Sequence, residues 1–244
     1  MGDFKLTYKP FGERSILIAW PNNIDTKILK DIISFKEIIE IKLYKEIVEL
    51  NYAYNSILIS YIKKITNFNN YKLELEKFYI SKKTTTSTSS KLWKIPVCYD
   101  LSFGIDIEEI IEAKSISIDE LILLHSNTIY TVFFIGFLPG FLYLGGLNER
   151  LNYRRKESPR LLIKKGSVAI GENQTGIYPI GSPGGWNIIG NSPINLFNHN
   201  LETPCQISGV DKLQFFSISL AEHKHIAELI KNDSYNLESE VYYD

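Results

Sequence analysis

The residue types best suited to chemistry in this 244-residue chain gather in one stretch, "SPRLLIKKGSVAIGENQTGIYPIGSPGGW", Ser158 to Trp186. Arg160 follows Pro159 and carries a planar fork that can pair a carboxylate or a phosphate; the alternative is a solvated arginine beside "YRRK". Gln174 stands before Thr175–Gly176 and can hold an amide through one acceptor and one donor, or else bond its own turn. Ser182, in "GSPGGW", has no base beside it in sequence, so nothing makes it a nucleophile. Gly184 and Gly185 can bring backbone N–H groups toward an anion, although the pattern is neither a Walker loop nor G-x-G-x-x-G. Trp186 reads as core in preference to site. Outside this stretch, His125 ends the segment "SISIDELILLHS", either as a cation at a helix C-terminus or as a member of a pocket. These types support one hypothesis: His125, Arg160 and Gln174 line a common pocket.

A second stretch, "IYTVFFIGFLPGFLYLGGL", runs from Ile129 to Leu147 without a charge and has the length of a membrane span. Gly136, Pro139, Gly140, Gly145 and Gly146 oppose a helix there. The stretch reads instead as a buried strand, Ile129 to Ile135, feeding loop walls from Gly136 to Gly146 that present Phe137, Pro139, Phe141 and Tyr143 to a pocket or a partner.

The elements that must position these residues divide into two regions. Before "SKKTTTSTSSK", Ser81 to Lys91, the pattern gives a strand at "SILIAW", a helix at "IDTKILKDIISFKEIIE" with Asp25 as N-cap, strands at "YKEIVEL" and "NSILISYI", and an amphipathic helix at "NNYKLELEKFYI". A last strand at Phe78–Ile80 is a further option. The stretch Ser81–Lys91 has no large apolar residue apart from its flanks and reads as a linker. After it come a strand at "KLWKIPVCY", a short helix at "IDIEEIIEA", and a helix after Ser117, whose spacing to Glu120 is that of a capping box. Short strands then follow at "LLIK", "SVAIG", "TGIYPI" and "WNIIG", separated by turn residues, which suggests a barrel or closed sheet. "LQFFSIS" supplies a late strand, "LAEHKHIAELIKN" a helix, and "SYNLESEVYYD" a loosely held tail.

Composition excludes some classes. The charge of −1, from 27 basic and 28 acidic residues, gives no electrostatic reason for nucleic acid or an anionic membrane. The start, "MGDFKLTYKPFGER", lacks the apolar core of a signal peptide, so Cys98 and Cys205 are expected as free thiols in the cytoplasm. Two cysteines and four scattered histidines make no metal motif.

The ordered series G-F-x-P-G-F, P-R, G-S-V, Q-T-G-I-Y-P and S-P-G-G-W, spread over most of Lys91 to Phe216, resembles the B subunit of bacterial ATP-dependent 5-oxoprolinase. That family is also labelled allophanate hydrolase subunit 1 or Kip-type sporulation-kinase inhibitor. The resemblance implies an α+β chain: a small α/β domain over 1–80, a linker over 81–91, a cyclophilin-like β-barrel over 92–233 and a tail over 234–244. It implies a non-autonomous subunit that joins a C-type and an A-type subunit and uses ATP as co-substrate to open 5-oxo-L-proline to L-glutamate. The alternatives carried by the same family are an inhibitor that binds a histidine kinase and an allophanate hydrolase subunit. Its motifs add Ser167 and Tyr178 to Phe137, Pro139, Tyr143, Ser182, Gly184, Gly185 and Trp186 as substrate- or partner-binding positions. Leu142 stands where the family often has proline, and Ser208 where it has the proline of P-G-D, both expected at turns.

Overall fold

A computed structural model describes residues 4–81 and 90–243. The chain separates into two compact units, Met1–Thr88 and Ser89–Asp244.

In the first unit, alternation of apolar and polar residues makes strands and a 3.6-residue period makes helices. β1 (Thr7–Phe11), β2 (Ser15–Ala19), β3 (Ile47–Ala53) and β4 (Ser56–Tyr61) form an antiparallel sheet in the order β1-β2-β4-β3. Ile16, Ile18, Ile57 and Ile59 alternate onto the buried face, where α1 (Thr26–Leu43) lays down Ile28, Ile32, Phe35 and Ile39. Asp25 caps α1 as the sequence requires, its carboxylate accepting the Lys27 N–H at 2.7 Å. Asp31 is buried on the same helix because Trp20 Nε1 and Tyr79 Oη each donate to its Oδ2 at 2.7 Å. Phe78–Ile80 is not a strand. These residues close α2 (Phe68–Ser81), which turns Leu75 and Tyr79 inward at helical spacing. β1 is not evident in the sequence, since its mostly exposed pattern leaves little apolar alternation to read.

The second unit combines helices with a large sheet, and the chain as a whole is α+β. β5 (Ser90–Val97) is followed by α3 (Ile107–Lys114), α4 (Ile118–Ser126), β6 (Ile129–Ile135), β7 (Leu142–Gly145) and a short 3₁₀ turn at Glu149–Leu151. Then come β8 (Arg160–Ile163), β9 (Ser167–Gly171), β10 (Gln174–Ile177), β11 (Ser182–Gly184), β12 (Asn187–Asn191), β13 (Lys212–Ser217), α5 (Leu220–Lys231) and β14 (Ser239–Tyr242). Eight strands pair in the order β12-β9-β10-β7-β6-β13-β5-β14, and β8 and β11 form a separate pair. The expected closed barrel is not formed. Cys98, just after β5, and Asn191 of β12 exchange both backbone hydrogen bonds, at 2.9 and 3.0 Å, an isolated bridge that leaves the strand order open.

Three further expectations are corrected. Leu142–Gly145 is a central strand, not loop wall, because Leu142 and Leu144 point into the core between β6 and β10. Leu142 is therefore not at a turn, and its N–H lies in a strand paired on both sides, a place proline cannot fill without losing a ladder bond. The tail is tied down: β14 pairs antiparallel with β5, and Tyr235 and Leu237 pack on the core. Of the linker, residues 82–89 lie outside the described residues, Ser81 ends α2, and Ser90 and Lys91 begin β5.

The sheet is covered on both faces. Val168, Ile170, Ile177, Leu142 and Leu144 point into the main core, and Ala169, Tyr143 and Ile188, alternating with them, point out under a second layer with Phe141, Tyr178 and Trp186. Three strand glycines lie beneath aromatic rings. A Cβ on Gly145 would meet Phe133 at 2.3 Å, one on Gly171 would meet Trp186 at 2.5 Å, and one on Gly176 would meet Phe141 at 3.1 Å. Gly171→Ala is therefore expected to destabilise the second unit by about 1–3 kcal/mol, the usual cost of overpacking. Gly185→Ala, whose Cβ has its nearest neighbour at 3.5 Å, is expected to change stability little. Equal denaturation midpoints for the two variants would remove the ring-on-glycine packing as a stabilising contact.

Candidate functional site

Sheet alternation decides which face each candidate residue serves. Thr175 faces inward and Gln174 outward, since neighbours on a strand point to opposite sides. His125, at the end of α4, belongs to the inside. It is fully buried, stacks on Phe215 with ring centroids 4.5 Å apart, and is bonded at both nitrogens. The Thr175 hydroxyl donates to the Ala169 carbonyl at 3.0 Å, so Thr175 Oγ1 must accept from His125 Nε2–H at 2.9 Å. Nδ1 is then the acceptor for the Tyr99 hydroxyl at 2.7 Å. Burial pushes the imidazole down to about 3, which keeps it neutral. His125 is thus neither a helix-terminal cation nor a pocket residue.

Gln174 lies on the outer layer, level with Gly171 of β9 and, through the register of β10 on β7, with Gly145. Because the rings of Phe133 and Trp186 occupy the space over those glycines, the glutamine amide is flanked by aromatic surface. It is 7% exposed, and its Oε1 has no hydrogen-bond partner among the described residues. Trp186 joins this layer through edge contacts with Phe141 and Tyr143, and Arg155 stands 5.6 Å from its ring centre. Tyr178 packs edge-on against Phe141, its hydroxyl receives the Trp186 backbone N–H, and burial pushes that hydroxyl up to about 12. Gly184 admits the same hydroxyl, since a Cβ there would meet it at 2.3 Å. The Gly185 carbonyl accepts the Lys156 N–H at 2.8 Å. Ser182 spends its hydroxyl on the Pro183 carbonyl at 3.2 Å, which agrees with the absence of any nucleophile signature.

The hairpin between β6 and β7 carries Phe137 at φ +65°, and the Leu138 N–H reaches back to the Gly136 carbonyl at 2.7 Å. This is a γ-turn with positive φ at a bulky residue, a conformation that costs on the order of 1–3 kcal/mol. The turn presents Phe137 at 64% exposure, with Pro139 also exposed, while Tyr143 remains half-buried beneath and stacks on Phe134 at 4.1 Å.

Arg160 is held elsewhere on the outer side. Its Nη1 and Nη2 donate to Asp106 Oδ2 and Oδ1 at 3.0 and 2.6 Å. Asp106 is 3% exposed and also takes the Ile188 N–H at 2.7 Å and Lys156 Nζ at 3.1 Å. It occupies the N-cap position of α3 yet makes no capping bond, because its carboxylate is committed to these partners. Arg160 and Ser167 line one cleft of about 100 Å³ together with Lys164, Ile163, Ile188 and Asn191.

A family model described as carboxyltransferase domain, subdomain C and D, matches residues 6–207. The B subunit of 5-oxoprolinase from Haemophilus influenzae is 31% identical over 206 residues, covering 84% of this chain and 95% of that one. The chain belongs to the family of 5-oxoprolinase B subunits, built on carboxyltransferase C and D subdomains. The protein of the same name from Bacillus subtilis is 43% identical over 129 residues, and the match spans 53% of this chain and about half, 54%, of that relative. Among solved structures, the K. lactis urea amidolyase aligns with a TM-score of 0.85 at 21% identity, over 98% of this chain and 16% of that one, a likeness of fold.

On this family scaffold the three polar candidates do not converge. His125 is inside the sheet, and Gln174 and Arg160 are outside. Ser167 and Gly171 both face outward on β9, four residues apart, so the Arg160 cleft and the Gln174 end of the layer are separated by about 13 Å at the strand rise. Sequence reading missed Asp106, whose place before an apolar helix reads as an ordinary cap and whose partner is 54 residues away. It also missed Lys164, which stands in a lysine pair that reads as plain surface.

Two outcomes follow from these environments. The folded His125 titrates near 3 and the unfolded one near 6.5, so the unfolded chain binds the proton first. The stability that the neutral imidazole confers is complete above pH 6.5 and declines as pH falls toward 3, by about 1.4 kcal/mol per pH unit at most. Urea unfolding of wild type and His125→Gln at pH 7.5 and pH 5 should show the gap between them narrowing at the lower pH; a constant gap would refute the assignment. Gln174→Met removes an acceptor without a partner and keeps the volume, so the isolated chain should be as stable as wild type or more so, by up to about 1 kcal/mol. A loss of midpoint would mean that the amide is satisfied in solution.

Proposed function

We propose that this chain is the B subunit of an ATP-dependent 5-oxoprolinase complex, acting with an A-type and a C-type subunit to open 5-oxo-L-proline to L-glutamate. The observation that carries the reading is the 31% identity to the Haemophilus influenzae 5-oxoprolinase B subunit over nearly the whole of that protein. The chemistry explains the need for ATP. A lactam carbonyl is a poor electrophile, and transfer of the γ-phosphoryl group to its oxygen activates the ring carbon. Water then adds to that carbon and the C–N bond breaks, the nitrogen leaving with a proton as the amine. A second water releases phosphate from the resulting acyl phosphate, giving glutamate, ADP and phosphate.

The outer layer supports a binding role for this subunit. It offers an aromatic surface, an amide oxygen in want of a donor, and a guanidinium fixed in place. His125, neutral and enclosed, is not positioned to exchange a proton with a substrate.

The test is reconstitution with the A-type and C-type subunits of the same organism. Glutamate formation from 5-oxo-L-proline, coupled to ATP hydrolysis, is expected with the full set and not with this chain alone. A complete, monodisperse assembly without that activity would sink the proposal, and so would turnover by the purified chain by itself.

A further inference from the structure

We propose that the cleft beside Arg160 binds the carboxylate of a small organic acid. The function proposed above enters only in naming that acid as 5-oxo-L-proline.

Charge comes first. The cleft is lined by two cations, Arg160 and Lys164, and by no carboxylate. Lys164 is exposed and forms no ion pair within 4.0 Å among the described residues. Arg160 is immobilised by two bonds to Asp106. Those bonds use two of the five N–H donors of a guanidinium, so its remaining donors are held in a fixed orientation with no further ordering required on binding. Asp106 offsets charge from below, with Lys156 as a second partner, which leaves the cleft suited to a monoanion rather than a dianion.

The remaining lining fits the rest of such a ligand. Ser167 is buried, and its hydroxyl makes no hydrogen bond to another described residue, so it is available to a carboxylate oxygen. Asn191, by contrast, is already committed: its Nδ2 donates to the Lys165 carbonyl at 2.9 Å and its Oδ1 is 2.8 Å from His223 Nε2. It serves as wall. Ile163 and Ile188 give an apolar side against which a short ring can lie. A polar head with a compact body is the description of a five-membered lactam acid.

The experiment measures binding and kinetics with matched probes. Calorimetric titration of the isolated chain compares 5-oxo-L-proline with 5-oxo-L-prolinamide, which keeps the ring and removes the charge, and with inorganic phosphate. The acid is expected to bind about tenfold more tightly than the amide, the equivalent of one charge-assisted hydrogen bond, and more tightly than phosphate. Lys164→Gln, at an exposed position, should keep the wild-type melting temperature, weaken the acid about as much, and leave the amide unchanged. In the assembled complex the same variant should raise KM for 5-oxo-L-proline while kcat stays close to wild type. Equal affinity for acid and amide, preference for phosphate, or an unchanged KM in the variant complex would each overturn the proposal. The two readings fail separately. Lys164-dependent binding of the acid in a complex without oxoprolinase activity removes the function and keeps the site, whereas an active complex indifferent to Lys164→Gln removes the site and keeps the function.

Discussion

The buried carboxylate of Asp106 is the interaction on which the outer site depends. A charge with 3% exposure is tolerable only when fully paired, and here a guanidinium fork, an ammonium group and the Ile188 N–H share it. Those partners come from β8, from the segment ahead of it and from β12, while Asp106 itself begins α3. One side chain therefore joins the separate β8–β11 pair to the main sheet and fixes the orientation of Arg160. Removing one partner of such a pair costs about 3–5 kcal/mol, because the other charge is left buried and unpaired. The cleft floor inherits its rigidity from this node.

A second constraint works through volume. Outward-facing glycines on β7, β9 and β10 let three aromatic rings lie directly on the backbone, so the outer layer is thin and continuous with the sheet. The glycines of "GENQTG" are thus structural in a specific way: Gly171 and Gly176 flank the strand start so that Trp186 and Phe141 can sit down. This also explains Gln174, which stands between two ring-covered glycines and has its carbonyl cut off from water and from the described residues alike.

What the sequence made legible follows from range. Asp25, Ser117 and the apolar periods beside them act within a few residues, and the helices they start are found where the pattern puts them. The Ser117 box is only half formed, since Glu120 reaches Arg150 and not its own cap. Strands with an inward apolar face, such as Ser167–Gly171, are equally plain. β7 is hidden because glycine and proline signals crowd it, and β14 because its residues are mostly exposed and gain their place only from the edge of β5. The site is the least legible part. Arg160 and Asp106 meet across 54 residues, and no local pattern links them. The pocket expected of His125, Arg160 and Gln174 fails for a geometric reason: adjacent strand residues face opposite ways, so the partner of Thr175 cannot also be the partner of Gln174.

That separation bears on the division of labour within the proposed complex. Groups on the outer face can hold a carboxylate at one end and an N–H at the other, but the two ends lie about 13 Å apart along β9, further than one small lactam reaches. The His125 imidazole is neutral, bonded at both nitrogens and on the opposite side of the sheet from the cleft. His125 is thus not the group that would exchange a proton with a ligand on this surface. If the Arg160 cleft seats the substrate, the reacting carbonyl must project from the cleft toward groups contributed from beyond it. The strained turn that keeps Phe137 exposed next to Phe141 then lies on the same outer layer that such a contribution would have to approach.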